Sequence, residues 1–354
     1  GLTDIWFEGE HGEPPFHDFA ERVNQLVVGQ EEVVARISDR LKAWARLGFG
    51  GEIPVFFLGG SSGSGKDTLL RAINQVMFGH EGHHLMFSIG GVRGFGINAI
   101  IEGPPRGNHA DGDSGLLVQA LDNGPRTGII AFNEGKDAPT EELEKLKVFI
   151  ESGEIRPKGR DSRVRPLKFP IFIMGQWGEE LFDGKNDREI AHRLAGLSQP
   201  DLEKYFLQGK DDGGIGRVSR ALLDRAKKTG GVFLFAPVPR RLYTKIVGIG
   251  LRKVTENLAV NANIRLEVSP ALIELIAQTS IQSGEGTRGL GATTVDFTET
   301  ALSSAMDLGL PLRDVSVVLD HEVVKGKDFI VAKSGGTTYR MEVASLRRVK
   351  ACED

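Results

Sequence analysis

Cysteine is almost absent from this chain of 354 residues, which contains one, Cys352. A single cysteine cannot form an intrachain disulfide, and chains without disulfides are typical of reducing compartments. The sequence also lacks any apolar run near the roughly 20 residues that span a bilayer, and it shows no signal peptide. We therefore expect a cytoplasmic protein that does not act in a membrane.

A large excess of charge of one sign is absent as well. Lys and Arg total 44 against 48 Asp and Glu, a formal net charge of −4. This balance argues against a general nucleic-acid or membrane-surface protein, although it leaves room for a local basic patch. The chain begins at Gly1 rather than at Met, so we expect it to be cut from a longer protein.

The most informative feature present is a glycine-rich segment between an apolar run and a helical pattern. It fits the pattern G-x-x-x-x-G-K through Gly60, Gly65 and Lys66. In such a loop, backbone N–H groups surround phosphate oxygens and the lysine adds a positive charge. We therefore predict a site for ATP or ADP. Its candidate residues are Gly60, Ser61, Ser62, Gly63, Ser64, Gly65, Lys66, Asp67 and Thr68.

Apolar runs alternate with helical patterns through the first two thirds of the chain. Such alternation predicts an α/β fold whose parallel sheet is covered by helices on both faces. The predicted strands are 53–58, 85–89, 128–132 and 169–174, and the clearest helices between them are 115–122 and 140–152.

After about residue 238 the pattern becomes mainly helical, and a strand-like alternation follows near the end. We predict helices at 240–258, 270–279 and 292–308, with a strand at 264–268 and further strands within 314–343. The predicted organisation is an irregular segment 1–15, a nucleotide-binding α/β domain 16–238, a helical domain 239–312, and a β element with a tail at 313–354.

Several short motifs in a fixed order resemble the second ATPase module of the Clp chaperones, which are AAA+ unfoldases and disaggregases. The resemblance covers about residues 17–345. It implies a P-loop AAA+ sheet, a smaller helical lid and a short C-terminal β element. The motifs are Val27–Val34 with its V-x-G-Q core, the P-loop, Gly103-Pro104-Pro105, Ile129–Glu134, Ile150–Ile155, Leu222–Arg225 and Gly286–Leu290.

The resemblance also implies roles for individual residues. Val28 and Gly29 would pack on the adenine, and Lys66 matches the phosphate-binding lysine. Glu134 matches the acid that polarises the attacking water. Arg225 resembles the finger that reaches a neighbouring subunit's γ-phosphate, although Arg217 and Arg220 lie close by. Arg288 resembles the lid arginine that senses the nucleotide.

The chain departs from the family pattern at the metal site. Asp67 replaces the hydroxyl that ordinarily ligates Mg²⁺, and Asn133 replaces the Asp that ends the strand. Two interpretations follow: Asp67 ligates Mg²⁺ itself, or its carboxylate repels the phosphates when no metal is present. Phosphoryl transfer depends on positioning and charge neutralisation, so either change should slow hydrolysis.

Two further departures concern the end of one strand and one loop. The strand 169–174 should end near a polar Asn, but Met174-Gly175-Gln176-Trp177 occurs there, and Gln176 fits that role only if the strand ends one residue earlier. The loop after Pro105 carries no aromatic residue where the family has one that grips the substrate.

These residues leave three hypotheses open. The favoured one is a nucleotide-stabilised assembly or structural subunit that hydrolyses ATP weakly and associates with itself or with a related AAA+ chain. The alternative is an active AAA+ ATPase that remodels a protein partner. The third is nucleic-acid association through a basic segment, for which a solvated hairpin is the simpler explanation. That segment contains Arg156, Lys158, Arg160, Arg163, Arg165 and Lys168.

Overall fold

A computed structural model gives the structure of most of the chain. It describes residues 18–47, 51–78, 84–90, 96–103, 115–123, 128–157, 164–166, 169–208, 215–283, 286–311 and 313–343. The chain divides into two compact units, Gly1–Pro237 and Val238–Asp354. No helix in these described ranges is both long enough and apolar enough to cross a membrane.

The first unit is built on a five-stranded parallel sheet in the order β2-β3-β6-β1-β7. This arrangement confirms the predicted α/β class with a parallel sheet. The strands of the sheet are β1 (Val55–Gly60), β2 (His84–Ser88), β3 (Ile129–Asn133), β6 (Ile171–Met174) and β7 (Gly231–Phe235). A separate antiparallel pair consists of β4 (Glu154–Ile155) and β5 (Arg165–Pro166).

Alternate side chains of each central strand enter two different hydrophobic clusters. Phe57 and Phe132 belong to one cluster, whereas Phe56 and Phe172 belong to the other. Helices therefore cover both faces, as the continuous apolar runs predicted. The helices are α1 (Phe19–Asn24), α2 (Glu31–Arg46), α3 (Lys66–Phe78), α4 (Gly96–Ile101), α5 (Leu116–Asn123), α6 (Thr140–Ser152), α7 (Asp187–Ala195), α8 (Gln199–Gln208) and α9 (Arg220–Thr229).

The structure differs from the sequence-based expectation at β1 and β7. Strand β1 was expected at 53–58, but it continues through Gly60 because Gly59 and Gly60 pair with β7. A Cβ on Gly60 would lie 2.1 Å from the carbonyl oxygen of Phe235, so this approach requires glycine. Strand β7 itself was not predicted. Its apolar residues complete the edge of the sheet beside the P-loop strand.

The described residues of the second unit combine three helices with a four-stranded sheet in the order β11-β10-β9-β8. Its helices and strands share one hydrophobic cluster. The elements are α10 (Tyr243–Ala262), β8 (Ile264–Val268), α11 (Pro270–Ser283), α12 (Gly286–Asp307), β9 (Val315–Val324), β10 (Lys327–Ser334) and β11 (Thr337–Glu342).

Strand β8 pairs in parallel with β9, and the remaining pairs of this sheet are antiparallel. The segments expected as a helical domain, 239–312, and as a β element, 313–354, therefore contribute to one sheet. The four-part division of the chain stays a prediction. Helix α12 begins at Gly286 rather than at 292, so the motif Gly286–Leu290 is part of the helix.

Candidate nucleotide-binding site

The candidate site lies where the strands of the parallel sheet end. Strands β1, β3 and β6 end at Gly60, Asn133 and Met174, and their carboxyl ends share one edge because the strands are parallel. Open α/β sheets bind ligands at this edge. The P-loop, Glu134 and the turn after Met174 are thereby brought together from distant parts of the sequence.

The P-loop backbone has the conformation that a phosphate cradle needs. Gly63 and Gly65 have φ angles of 75° and 100°, in the left-handed region that favours glycine. A Cβ built on Gly65 meets no heavy atom within 4 Å, so the space beside this glycine is open. Helix α3 begins directly afterwards at Lys66, which directs the positive end of its dipole toward the loop.

Lys66 is held by the loop itself. Its Nζ donates to the carbonyl oxygens of Gly60 at 2.6 Å and Ser61 at 2.9 Å, and to Oγ of Ser64 at 3.3 Å. Burial lowers the pKa of Lys66 to about 8, while the charges of Asp67 and Glu179 act in the opposite direction. Desolvation disfavours the charged ammonium group, and a further anion such as a phosphate would favour it again.

The V-x-G-Q segment is tied to this loop by Gln30. The buried Gln30 donates from Nε2 to the carbonyl oxygens of Ser64 at 3.0 Å and Ala236 at 2.8 Å. Val28 is buried, and Gly29 has a φ of 78°. The segment that the resemblance assigns to adenine therefore lies beside the phosphate loop.

The candidate metal residues offer a limited donor set. Asp67 is exposed in the first turn of α3, as is Thr68, and the Oδ1 of Asn133 accepts from the N–H of Glu134 at 2.9 Å. Within the described ranges, no three His, Cys, Asp or Glu side chains are grouped so as to hold a metal ion. A carboxylate and an amide suit Mg²⁺ when phosphate oxygens and water supply its other ligands.

Glu134 occupies a strained turn directly after β3. Its φ of 61° is in the left-handed region, which is uncommon for a residue other than glycine. Its carboxylate accepts a short hydrogen bond from the hydroxyl of Ser88 at the end of β2. Strain of this kind at a ligand-facing edge is typical of functional sites. The hydroxyl of Ser88 orients the carboxylate, a contact that sequence reasoning missed.

The turn after β6 also carries charge to this edge. Lys136 donates from Nζ to the carbonyl oxygen of Gln176 and to Oε1 of Glu179, both at 3.1 Å. The side chain of Gln176 is exposed, and β6 ends at Met174 rather than one residue earlier. The condition set for Gln176 to replace the expected Asn is therefore not met.

Arg225 lies on α9 and pairs within its own chain. Its Nη1 contacts Oε1 of Glu52 at 3.0 Å, and Lys228 contacts the same oxygen at 2.9 Å. The hydrogen bond from Lys228 and the charge of Arg225 contribute to lowering the pKa of Glu52. The Nε of Arg225 is buried with no hydrogen-bond partner among the described residues.

The two neighbouring arginines differ from Arg225. Arg220 is largely exposed and pairs with Glu203 at 3.3 Å, and Arg217 is exposed. Arg225 is the more buried of the three, which is why it is held in a defined orientation.

The structure describes three features predicted from the sequence only in part or not at all. Arg288 falls in the first turn of α12, and its side chain lies outside the described part of the chain. The loop after Gly103 lies outside it as well. In the basic segment, β4 pairs with β5, which confirms the hairpin, and Arg156 contacts Glu154 at 2.9 Å. Residues 158–163 and 167–168 lie outside the described ranges.

The sequence of this chain is similar to curated chaperones named ClpB. It is 23% identical over 306 residues to the protein of Rhodopirellula baltica and 22% identical over 298 residues to ClpB 1 of Synechococcus elongatus. These alignments cover 85% and 81% of this chain but 33% and 31% of the relatives. The chain therefore spans about a third of the length of the curated relatives it matches. No family model matches it.

The fold is similar to that of a chain in a closed-state cryo-EM reconstruction of Hsp104 with ATPγS and FITC-casein. The TM-score is 0.71 at 16% identity, over 98% of this chain and 54% of that chain. The parallel sheet with its P-loop is thus an AAA+ fold, as predicted.

The curated relatives are more specific than the AAA+ fold alone. By sequence the chain is similar to ClpB chaperones, in agreement with the ordered motifs that resemble the Clp-type AAA+ family.

The lowered pKa of Lys66 makes the stability of the ligand-free protein depend on pH. The pKa is about 8 in the folded state and 10.5 for an unperturbed lysine, so the unfolded chain binds more protons between these values. We expect the free energy of unfolding to rise with pH across this window, by at most about 1.4 kcal/mol per pH unit. Lys66→Met should abolish this rise.

Urea denaturation of the two proteins between pH 7 and pH 10 measures this effect. Lys245→Met, which alters an exposed lysine, should behave like the wild type. Parallel pH profiles for the wild type and Lys66→Met would contradict the assignment.

Proposed function

We propose that this chain is a nucleotide-binding AAA+ module that holds ATP or ADP, hydrolyses it weakly, and acts as a nucleotide-stabilised subunit of a cytoplasmic protein assembly. The observation that carries the proposal is the position of Lys66. Its partly desolvated amine lies inside a glycine loop, at the same sheet edge as Glu134. Hsp104 was reconstructed with ATPγS, which supports an adenine nucleotide here.

The residues proposed to hold the nucleotide come from three segments. Gly60 to Thr68 would surround the phosphates, with Lys66 as the cation that balances their charge. Val28 and Gly29 would meet the adenine, and Arg288 would sense the nucleotide. A phosphate would replace the carbonyl oxygens that Lys66 contacts in this structure, and it would raise the pKa of the lysine again.

Weak hydrolysis is proposed from the metal residues. Asp67 and Asn133 would hold Mg²⁺ together with phosphate oxygens, and the metal would neutralise charge on the phosphates. Asn133 contributes no charge, and its Oδ1 already accepts from Glu134. Glu134 remains able to orient water as a base. The module therefore keeps the base but has an altered metal shell, and a change in how the metal is held should slow phosphoryl transfer.

The alternative function is an active ATPase that remodels a protein partner. The intact Glu134, oriented by Ser88, favours it. The Hsp104 reconstruction includes FITC-casein, which supports a protein as the substrate in that case. Nucleic acid is not proposed as a partner, because the charge of the chain is close to balanced and Arg156 is paired.

Self-association, or association with a related AAA+ chain, is proposed from Arg225. An arginine that reaches the γ-phosphate of a neighbouring subunit contributes strongly to phosphoryl transfer. Where hydrolysis is weak, the same contact joins two subunits through bound ATP. In the present structure Glu52 holds Arg225, so assembly requires this ion pair to open.

Nucleotide binding through Lys66 is tested by thermal denaturation. A ligand that binds only the folded state stabilises it by about 2.7 kcal/mol at a concentration of 100 Kd. We expect ATP and ADP to raise the melting temperature of the wild type and of Lys245→Met. The rise should disappear in Lys66→Met. A wild type that shows no shift with millimolar nucleotide would refute the proposed function.

Weak hydrolysis is tested by restoring the family residues. Asp67→Thr combined with Asn133→Asp should raise phosphate release by more than the two single changes together, because both groups act on one metal shell. Glu134→Gln in the double variant should lower the gained rate by about 100-fold or more. An unmodified chain that releases phosphate at about 1 per second or faster is an active ATPase, which supports the alternative.

Assembly is tested with a pair of variants at one ion pair. Arg225→Ala should remove the dependence of self-association on ATP. Glu52→Gln should strengthen it about two- to fivefold, because an exposed ion pair contributes up to about 1 kcal/mol. Arg220→Ala is the control, since this arginine pairs with Glu203 instead. Sedimentation with ATP and with ADP measures the effect, and unchanged association in Arg225→Ala contradicts the assigned role.

A further inference from the structure

Trp177 lies completely buried beneath the candidate site, at the turn after β6. Its indole packs against bare backbone. A Cβ on Gly135 would lie 2.4 Å from Cη2 of the ring, and one on Gly175 would lie 2.6 Å from Cζ3. Gly135 directly follows Glu134, so the ring is in contact with the turn that places the candidate base.

The main chain of Trp177 is joined to the P-loop. Its carbonyl oxygen accepts from the N–H of Gly60 at 2.8 Å. The carbonyl oxygen of Gly60 in turn accepts from Nζ of Lys66 at 2.6 Å. Gly60 therefore links the backbone of Trp177 to the ammonium group of Lys66, which would bind phosphate.

The indole N–H is joined to a third segment. Nε1 donates to the carbonyl oxygen of Gly216 at 2.6 Å, within the buried interior. A Cβ on Gly216 would lie 2.1 Å from the carbonyl oxygen of Lys136, so this segment also touches the Glu134 turn. Three residues later, Ser219 accepts from the N–H of Leu222 at 3.3 Å and caps helix α9.

Two rings restrict the movement of the indole. The ring of Phe206 lies 5.1 Å from it and that of Phe57 lies 5.9 Å from it, measured between centroids. Close-packed interiors transmit small displacements because they contain little free space. Trp177 thus contacts the P-loop, the Glu134 turn and the segment that leads into the helix of Arg225.

We propose that Trp177 is a positioning residue that couples the occupancy of the nucleotide site to the placement of Arg225. It acts through its indole N–H on Gly216, and it does not itself contact the nucleotide. This inference rests on the proposed function. Replacement of the carbonyl contacts of Lys66 by phosphate shifts Gly60, the shift passes to Trp177, and the Gly216 segment moves the start of α9.

The first test compares Trp177→Phe with Trp44→Phe by hydrogen exchange. Phenylalanine keeps a ring but removes the donor to Gly216, while Trp44 is a buried tryptophan on α2 that serves as a matched control. In the wild type and the control, a non-hydrolysable ATP analogue and ADP should give exchange rates at 217–229 that differ about fivefold or more. In Trp177→Phe the two nucleotides should give the same rates, although both still raise the melting temperature.

The second test uses Trp177 as its own reporter and does not require Trp177→Phe to fold. Trp6→Phe with Trp44→Phe leaves Trp177 as the only tryptophan. Its emission should change when the ATP analogue binds, and Lys66→Met should abolish the change.

The outcomes separate the coupling from the proposed function. No thermal shift with any nucleotide means that nucleotide binding itself fails. A thermal shift with unchanged Trp177 emission overturns the coupling and leaves the binding intact. Nucleotide-dependent exchange at 217–229 that persists in Trp177→Phe overturns the coupling as well.

Discussion

The close approach of bare backbone segments at the carboxyl edge of the parallel sheet is the constraint on which the rest of this structure depends. At Gly60 a side chain would collide with the carbonyl oxygen of Phe235, and at Gly135 it would collide with the ring of Trp177. Because both positions are glycine and these collisions are avoided, β1 and β7 pair as far as the start of the P-loop. The loop therefore begins at a buried, hydrogen-bonded strand end. Asp67, Thr68 and Glu134 are exposed, whereas Val28, Gly60 and Ser64 are buried.

Charged groups of both signs lie at this edge. Lys66 is the cation of the loop, and burial lowers its pKa although the charges of Asp67 and Glu179 act in the opposite direction. Perturbed pKa values of this kind are common at functional sites. The negative groups nearby, Asp67 and Glu134, are exposed. In the proposed site, Lys66 would balance the charge of the phosphates, and the capacity for phosphoryl transfer would depend on the metal that Asp67 and Asn133 would hold.

Arg225, which has a proposed role in assembly, forms an ion pair within its own chain in this structure. Glu52 and Lys228 form an exposed cluster with it, and such exposed pairs contribute little to stability. The weak ion pair with Glu52 orients the guanidinium of Arg225, and it can open at a small cost in free energy.

The sequence by itself determined the features that depend on neighbours along the chain. The spacing of Gly60, Gly65 and Lys66 sets the loop, and the apolar runs set the parallel sheet and its covering helices. Only the tertiary structure decided the contacts between distant segments. Ser88 meets Glu134 across 46 positions and Arg225 meets Glu52 across 173, and both depend on which strands are adjacent and in which register. Strand β7 belongs to this second group, because a short apolar run becomes an edge strand only where another strand offers its backbone for pairing.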